Sequence, residues 1–140
     1  MALKCCANRT MLFNEVPFLQ RFGQAARAGF SAVEFLFPYE AGVDNVRDYL
    51  QRTKMQAVLF NLLPGDQLRE WGPLCLPERK DDFRSSLTQA LDAARSLRCQ
   101  RLNLMFGMRQ VGCTPREQVD CAPLRILPGP CPWRHRRQSR

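Results

Sequence analysis

The sequence predicts an α/β fold that forms the first half of a (β/α)8 barrel, about four βα units followed by an aperiodic C-terminal tail. Strand-like and helix-like patterns alternate along residues 1–118. A complete barrel takes about 250 residues, or roughly 31 per unit, so this segment accommodates about four units. Residues 119–140 contain four prolines and no apolar periodicity. We therefore divide the chain into a partial barrel at 1–118 and a tail at 119–140.

Four short apolar runs predict the strands. They are Leu3–Asn8, Ala32–Phe37, Ala57–Leu63 and Arg101–Phe106. A polar residue, glycine or proline closes each run, and the turn Pro64-Gly65-Asp66 follows the third. Because a helical pattern separates each run from the next, we expect parallel strands joined by right-handed crossovers.

Three helices are predicted between these strands. Asn14 is the expected N-cap of the first, which Gly29 ends, and Asp44 opens the second. Asp81 or Asp82 caps the third. Its apolar stripe comprises Phe83, Leu87, Ala90, Leu91, Ala94 and Leu97. A flavodoxin-like open sheet begins with the same order, but no Gly-rich phosphate-binding turn follows an early strand here.

The C-terminal tail conflicts with the signal that precedes it. Thr114-Pro115-Arg116-Glu117 is a strong helix start, yet no apolar helical pattern follows. We interpret this as a helix begun by one sequence and replaced by another, through an alternative transcript, an altered reading frame or a designed truncation. We expect residues 119–140 to be disordered.

Composition restricts the classes of partner. The net charge is +8, and half of it lies in the tail. The basic end RHRRQSR could bind nucleic-acid phosphates, but an out-of-frame segment yields such a sequence as readily, so we expect no nucleic-acid partner. The apolar runs are too short to span a bilayer, which predicts no membrane partner. No secretory signal is evident, which predicts a cytoplasmic location.

The metal and disulfide chemistry open to the chain is also limited. His135 is the one histidine, and the seven cysteines include no C-x-x-C pair. This spacing speaks against a zinc site, and the absence of a secretory signal speaks against a disulfide framework. We expect reduced and mostly buried thiols.

Four segments together resemble a known family. They are CCANRTMLF, GFSAVEFLFPY, VLFNLLPGDQ and RLNLMFGM. They resemble the hydroxypyruvate isomerases, members of the xylose isomerase-like TIM barrels, over residues 1 to about 118. The chain departs from the family at Val119 and beyond, at the Arg9-Thr10 pair and at Gln67.

The resemblance implies an aldose–ketose type isomerase. The reaction is the reversible conversion of hydroxypyruvate, a small hydroxy-keto acid, to 2-hydroxy-3-oxopropanoate (tartronate semialdehyde). Proton transfer through an enediol needs a carboxylate base and a group that stabilises the oxyanion. In the complete family fold a divalent metal supplies the latter. The family's catalytic glutamates and metal ligands lie in its second half, so we predict no catalytic residue, metal or cofactor in this chain, and no independent activity.

Candidate substrate-binding residues remain at the predicted strand ends and in the long loop after the third strand. They are Asn8, Asn61, Asp66 and Trp71. The two asparagines could hydrogen-bond a substrate or cap turns, and Asp66 could be a base or a turn former. Trp71 could close over a pocket or pack within its loop. For Glu34, a carboxylate inside a strand pattern, we expect a buried ion pair with an arginine.

Two functional classes stay open. The chain is either an isomerase family member without its active-site half, or a non-catalytic product acting through exposed sheet edges. Half a barrel leaves the first and fourth strands unpaired, which favours self-association.

Overall fold

The computed structural model describes residues 5–65 and 79–108, with Thr114, Arg116 and Val119. Four parallel strands form one sheet in the order β1-β2-β3-β4. The strands are β1 (Ala7–Asn8), β2 (Ala32–Glu34), β3 (Gln56–Asn61) and β4 (Leu102–Asn103). A 3-10 turn at Phe18–Gln20 leads into α1 (Arg21–Arg27), and α2 (Val43–Thr53) and α3 (Lys80–Leu97) complete the regular elements. This confirms the predicted alternation and parallel pairing.

The elements are in the expected places, but several boundaries differ from those predicted. The strands are shorter than the apolar runs that predicted them. Asn14 does not cap α1; its side chain bonds the Met11 carbonyl and the Arg21 guanidinium instead. α2 begins one residue before Asp44, and both Asp81 and Asp82 lie inside the first turn of α3. As predicted, α1 is followed by Gly29, whose φ of 87° suits a residue without Cβ.

The core lies between the sheet and the helices. Its buried side chains include Phe22, Val33, Phe35, Val46, Leu50, Phe60, Phe83, Ala90 and Leu97. Phe35 stacks on Phe60 with ring centroids 5.9 Å apart and meets Phe22 edge-on at 6.1 Å. The predicted stripe of α3 is confirmed except at Leu91, which is 43% exposed.

An irregularity in β3 explains why Ala57 and Phe60 are both buried although they are three residues apart. Ala57 pairs with Val33, but the next pair is Leu59 with Glu34, so Val58 is an extra residue. A bulge of this kind changes which side chains alternate to a given face. Phe60 therefore faces the helices, and its neighbour Asn61 faces the opposite side of the sheet.

Several sequence-based predictions fall outside the described residues. Asp66, Trp71 and the rest of 66–78 are among them, as is residue 120 onward. Of the cysteines that are described, Cys99 is buried as expected, whereas Cys5 and Cys6 are exposed, so burial was a wrong prediction for that pair. None of the helices described is long and apolar enough to cross a membrane.

Helices α2 and α3 both end on a residue other than glycine in the left-handed conformation. Lys54 has φ 54° and Arg98 has φ 52°. At each end the next backbone N–H reaches back to the last turn, from Met55 to Leu50 and from Cys99 to Ala94. This is the Schellman arrangement, in which glycine is the favoured residue because a Cβ is strained there.

We therefore expect glycine to be favoured over alanine at these two ends. The free energy of unfolding should be about 1 kcal/mol higher for Lys54→Gly than for Lys54→Ala. We expect the same difference between Arg98→Gly and Arg98→Ala. Urea denaturation measures the difference. Arg95, which is exposed in the interior of α3, is the control. There the Arg95→Gly variant should be about 1 kcal/mol less stable than the Arg95→Ala variant. An equal preference for alanine at all three positions would contradict the prediction.

Candidate functional site

Each of the four strands ends on a polar residue. These residues, which we call the polar row, are Asn8, Glu34, Asn61 and Asn103. The residue before three of them is buried against the helices: Ala7, Val33 and Phe60. Since successive side chains in a strand point to opposite faces, the polar row lies on the face away from the helices. In a closed barrel this is the inner face, and the carboxyl ends of the strands are where such barrels bind ligands.

One half of the polar row is the pair Asn8 and Glu34. Asn8 Nδ2 donates to Glu34 Oε1 at 2.9 Å, and Asn8 Oδ1 accepts from the Thr10 backbone N–H at 3.1 Å. Asn8 thus caps the turn after β1, which is one of the two roles predicted for it. It also hydrogen-bonds the Glu34 carboxylate. Thr10 also contacts the segment that follows β2, because its Oγ1 accepts from the Leu36 N–H at 2.9 Å.

The predicted ion pair of Glu34 with an arginine is wrong. Within the described ranges no salt bridge includes Glu34; its partners are Asn8 and the Cys6 thiol, whose sulfur lies 3.8 Å from Oε2. Burial, followed by the charge of Glu34, raises the pKa of the Cys6 thiol. Cys6 therefore acts as a protonated donor beside the carboxylate rather than as an activated thiolate.

The other half of the polar row is the pair Asn61 and Asn103. Asn103 Nδ2 donates to Asn61 Oδ1 at 3.0 Å, while Asn61 Nδ2 faces the Met105 sulfur at 3.7 Å. Asn61 is 6% exposed, whereas Asn103 is exposed. The alternative that Asn61 caps a turn is not what the structure shows, because its side chain bonds across to β4.

Tyr39 fixes the backbone of Asn61. Its hydroxyl donates to the Asn61 carbonyl oxygen at 3.0 Å, and its ring meets Phe60 edge-on at 6.3 Å. Burial raises the pKa of Tyr39 to about 12. The hydroxyl therefore remains a hydrogen-bond donor at any pH near neutrality.

Arg9, which belongs to the pair at which the chain departs from the family, is fully buried. Its guanidinium lies 3.9 Å from the centroid of the Phe22 ring, and Nη2 donates to the Phe18 carbonyl at 2.7 Å. Nε and Nη1 have no hydrogen-bond partner within the described part of the chain. Burial, with the charge of Arg21 second, lowers the pKa of Arg9, but a guanidinium starts so high that it stays charged. The spacing of Phe18 and Phe22, one helical turn apart after the strand, is the signal that could have located it.

The structure brings two of the four predicted site residues, Asn8 and Asn61, into the polar row. Asp66 and Trp71 lie outside the described residues. Across 5–65 and 79–108, no group of three or more His, Cys, Asp or Glu side chains is placed to hold a metal ion. The row itself offers three neutral amides and one carboxylate.

The raised pKa of Tyr39 predicts a pH-dependent effect of removing its hydroxyl. At pH 8, Tyr39→Phe should lower the free energy of unfolding by about 1 kcal/mol, because the Asn61 carbonyl loses its donor. Between pH 10 and 12 the unfolded chain loses the Tyr39 proton while the folded chain keeps it. Ionisation then favours the unfolded state, so the wild-type chain loses stability that the variant does not.

The difference in stability between the two chains should therefore shrink as pH rises from 9 to 12. Thermal unfolding followed by circular dichroism measures it, with Tyr49→Phe as the matched control for the only other tyrosine. A difference that stays constant or grows over this range would contradict the assigned role of Tyr39.

Comparison with known proteins places this geometry in a family. Residues 22–122 match the xylose isomerase-like TIM barrel model. A 2-oxo-tetronate isomerase of Pectobacterium atrosepticum is 43% identical over 106 residues, 75% of this chain and 40% of that protein. The hydroxypyruvate isomerase of Escherichia coli is 38% identical over 111 residues, 79% of this chain and 43% of that protein.

A solved structure agrees with these relatives. The crystal structure of an AP endonuclease, family 2, from Brucella melitensis superposes with a TM-score of 0.81 at 38% identity, covering 86% of this chain and 46% of that one. The chain thus spans less than half the length of the relatives it matches. From the sequence match and the superposition together, the chain belongs to the xylose isomerase-like TIM barrel family.

Proposed function

We propose that the polar row is the substrate-orienting side of an isomerase site for a small hydroxy-keto acid of the hydroxypyruvate type. The observation that carries the proposal is the placement of Asn8, Glu34, Asn61 and Asn103 at the carboxyl ends of four adjacent strands. Relatives named hydroxypyruvate isomerase and 2-oxo-tetronate isomerase support the class of substrate. Both substrates named there carry adjacent oxygen functions, which amides recognise as donors and acceptors.

The chemistry divides into orientation and proton transfer. Isomerisation of hydroxypyruvate to 2-hydroxy-3-oxopropanoate moves a proton between adjacent carbons through an enediol. Neutral amides can hold the hydroxyl and keto oxygens and can stabilise charge that develops on an oxygen. They cannot remove a proton from carbon, which requires a base such as a carboxylate.

Glu34 is the one carboxylate in the polar row, and it accepts hydrogen bonds from Asn8 and Cys6. Divalent cations such as Mg²⁺ prefer several oxygen ligands, usually including more than one carboxylate. Glu34 with three amides does not fit that preference, so these four residues do not make a divalent metal site. We therefore propose that the 140-residue chain orients the substrate without turning it over.

This proposal predicts binding without turnover. On titration of the chain with hydroxypyruvate, the side-chain amide NMR signals of Asn8, Asn61 and Asn103 should shift. The amide of Asn45, which donates to the Ala41 carbonyl at the start of α2, should not. In a coupled assay with Mg²⁺ or Mn²⁺ the chain should show no isomerase activity above background. Turnover well above background, or shifts no larger than that of Asn45, would contradict the proposal.

The second candidate function is association through the sheet edges. β1 and β4 each have one neighbouring strand within the described sheet. Exposed apolar side chains follow both: Met11 at 67% and Leu12 at 43% after β1, and Phe106 at 38% and Met108 at 47% after β4. Unpaired strand edges flanked by apolar side chains favour pairing with another chain. A second copy related by a two-fold axis would pair each β4 with the partner's β1 and complete eight parallel strands.

We expect the 140-residue chain to be a dimer of about twice its 16.1 kDa mass, as measured by size-exclusion chromatography with light scattering. Met11→Glu together with Phe106→Glu should convert it to a monomer, because each charge would be buried against the partner's edge. Leu91→Glu is the matched control, since Leu91 is 43% exposed on the outer helix α3. A monomeric wild-type chain, or a dimer that survives the double substitution, would exclude pairing through these edges.

A further inference from the structure

The side-chain amide of Asn61 is buried with an unused capacity to donate. Its Nδ2 group carries two hydrogens, and the Met105 thioether sulfur at 3.7 Å is the acceptor it meets among the described residues. A thioether is a weak acceptor, and a buried polar group that lacks a good partner destabilises the fold. Asn61 is only 6% exposed, so bulk water supplies little compensation.

The position of this amide is fixed by three hydrogen bonds. The Asn61 backbone N–H donates to the Leu36 carbonyl at 2.9 Å, and its carbonyl accepts from the Tyr39 hydroxyl at 3.0 Å. Its Oδ1 accepts from Asn103 at 3.0 Å. The backbone of Asn103 is tied in turn, because its carbonyl accepts from the Leu62 N–H at 3.0 Å. The two amides are thus held before any ligand arrives, which lowers the entropic cost of binding.

Asn103 complements Asn61 in hydrogen-bond character. Its Nδ2 is engaged with Asn61, and its Oδ1 accepts no hydrogen bond from the described part of the chain. Asn103 is exposed on the face of the sheet away from the helices. The pair therefore presents an N–H donor on Asn61 beside a carbonyl acceptor on Asn103. A keto group needs the donor, and a hydroxyl on the next carbon can give its proton to the acceptor.

We propose that Asn61 and Asn103 form the subsite that recognises a hydroxyl group adjacent to a keto group. Asn61 Nδ2 donates to the keto oxygen in place of the Met105 sulfur, and Asn103 Oδ1 accepts from the neighbouring hydroxyl. This inference rests on the proposed function and deepens it, because it assigns specificity to one pair of residues. Met105 is then the group that contacts the amide when the subsite is empty.

The test compares ligands that differ by one oxygen function. Hydroxypyruvate carries both groups, pyruvate lacks the hydroxyl, and 3-hydroxypropanoate lacks the keto oxygen. Dissociation constants are measured by NMR titration of the full 140-residue chain. The wild-type chain should bind hydroxypyruvate about 10-fold or more tightly than pyruvate or 3-hydroxypropanoate, because each analogue leaves one of the two site amides unpaired.

The variants separate the two roles. Asn103→Ala removes an exposed side chain, so the chain should still fold; it should bind hydroxypyruvate and pyruvate with nearly equal affinity. Asn61→Ala should weaken the binding of both hydroxypyruvate and pyruvate about 10-fold. Met105→Leu should tighten the binding of both ligands, since it removes the thioether acceptor with which the keto oxygen competes. Asn45→Ala, on α2, is the matched control and should bind as the wild type does.

Each outcome bears on a different claim. If Asn103→Ala keeps the wild-type preference for hydroxypyruvate over pyruvate, the subsite assignment is overturned, and the proposed function stands. The subsite assignment is also overturned, and the proposed function stands, if the wild-type chain binds hydroxypyruvate and pyruvate with equal affinity. If the wild-type chain binds none of the three ligands, the proposed function fails, and the subsite fails with it.

Discussion

The packing of Phe22, Phe35 and Phe60 between the sheet and the helices determines which way the strands face. Phe35 contacts both other rings, stacked on Phe60 at 5.9 Å and edge-on to Phe22 at 6.1 Å. Burying aromatic rings of this size is worth several kcal/mol, far more than one polar contact on the opposite face. Because the Phe60 side chain packs against the helices, the side chain of the next residue, Asn61, points to the opposite face of the sheet. The polar row is therefore a consequence of the core.

Arg9 depends on the same cluster from the other side. As the residue after Asn8, it returns to the helix face, where its guanidinium lies on the Phe22 ring and bonds the Phe18 carbonyl. A desolvated cation on an aromatic face gains about 2 kcal/mol, which offsets part of the cost of burying the charge. The Arg9 carbonyl also accepts from Arg21 at 3.0 Å. These contacts hold the turn after β1 against α1, and with it the side chains of Asn8 and Thr10.

Local pattern was sufficient to predict the fold but not the partners within the site. Apolar runs and helix stripes identify every described strand and helix, because burial acts over a few neighbouring residues. The role of Asn61 depends on Tyr39 and Asn103, which are 22 and 42 positions away in sequence. The expected ion pair of Glu34 failed for a related reason. The backbones of Arg9 and Glu34 are hydrogen-bonded. However, the Arg9 side chain is buried on the face of the sheet that packs against the helices, whereas the Glu34 carboxylate lies on the opposite face.

The composition of the polar row determines how it can respond to pH. Amides do not titrate, and the Tyr39 hydroxyl that holds Asn61 has a pKa of about 12. The pKa of Cys6 is raised, so its thiol stays protonated near neutrality. The hydrogen bonds of Asn61 with Asn103 and with Tyr39 are therefore insensitive to pH through neutrality. The donor and the acceptor of the proposed subsite thus belong to groups that do not titrate near neutrality.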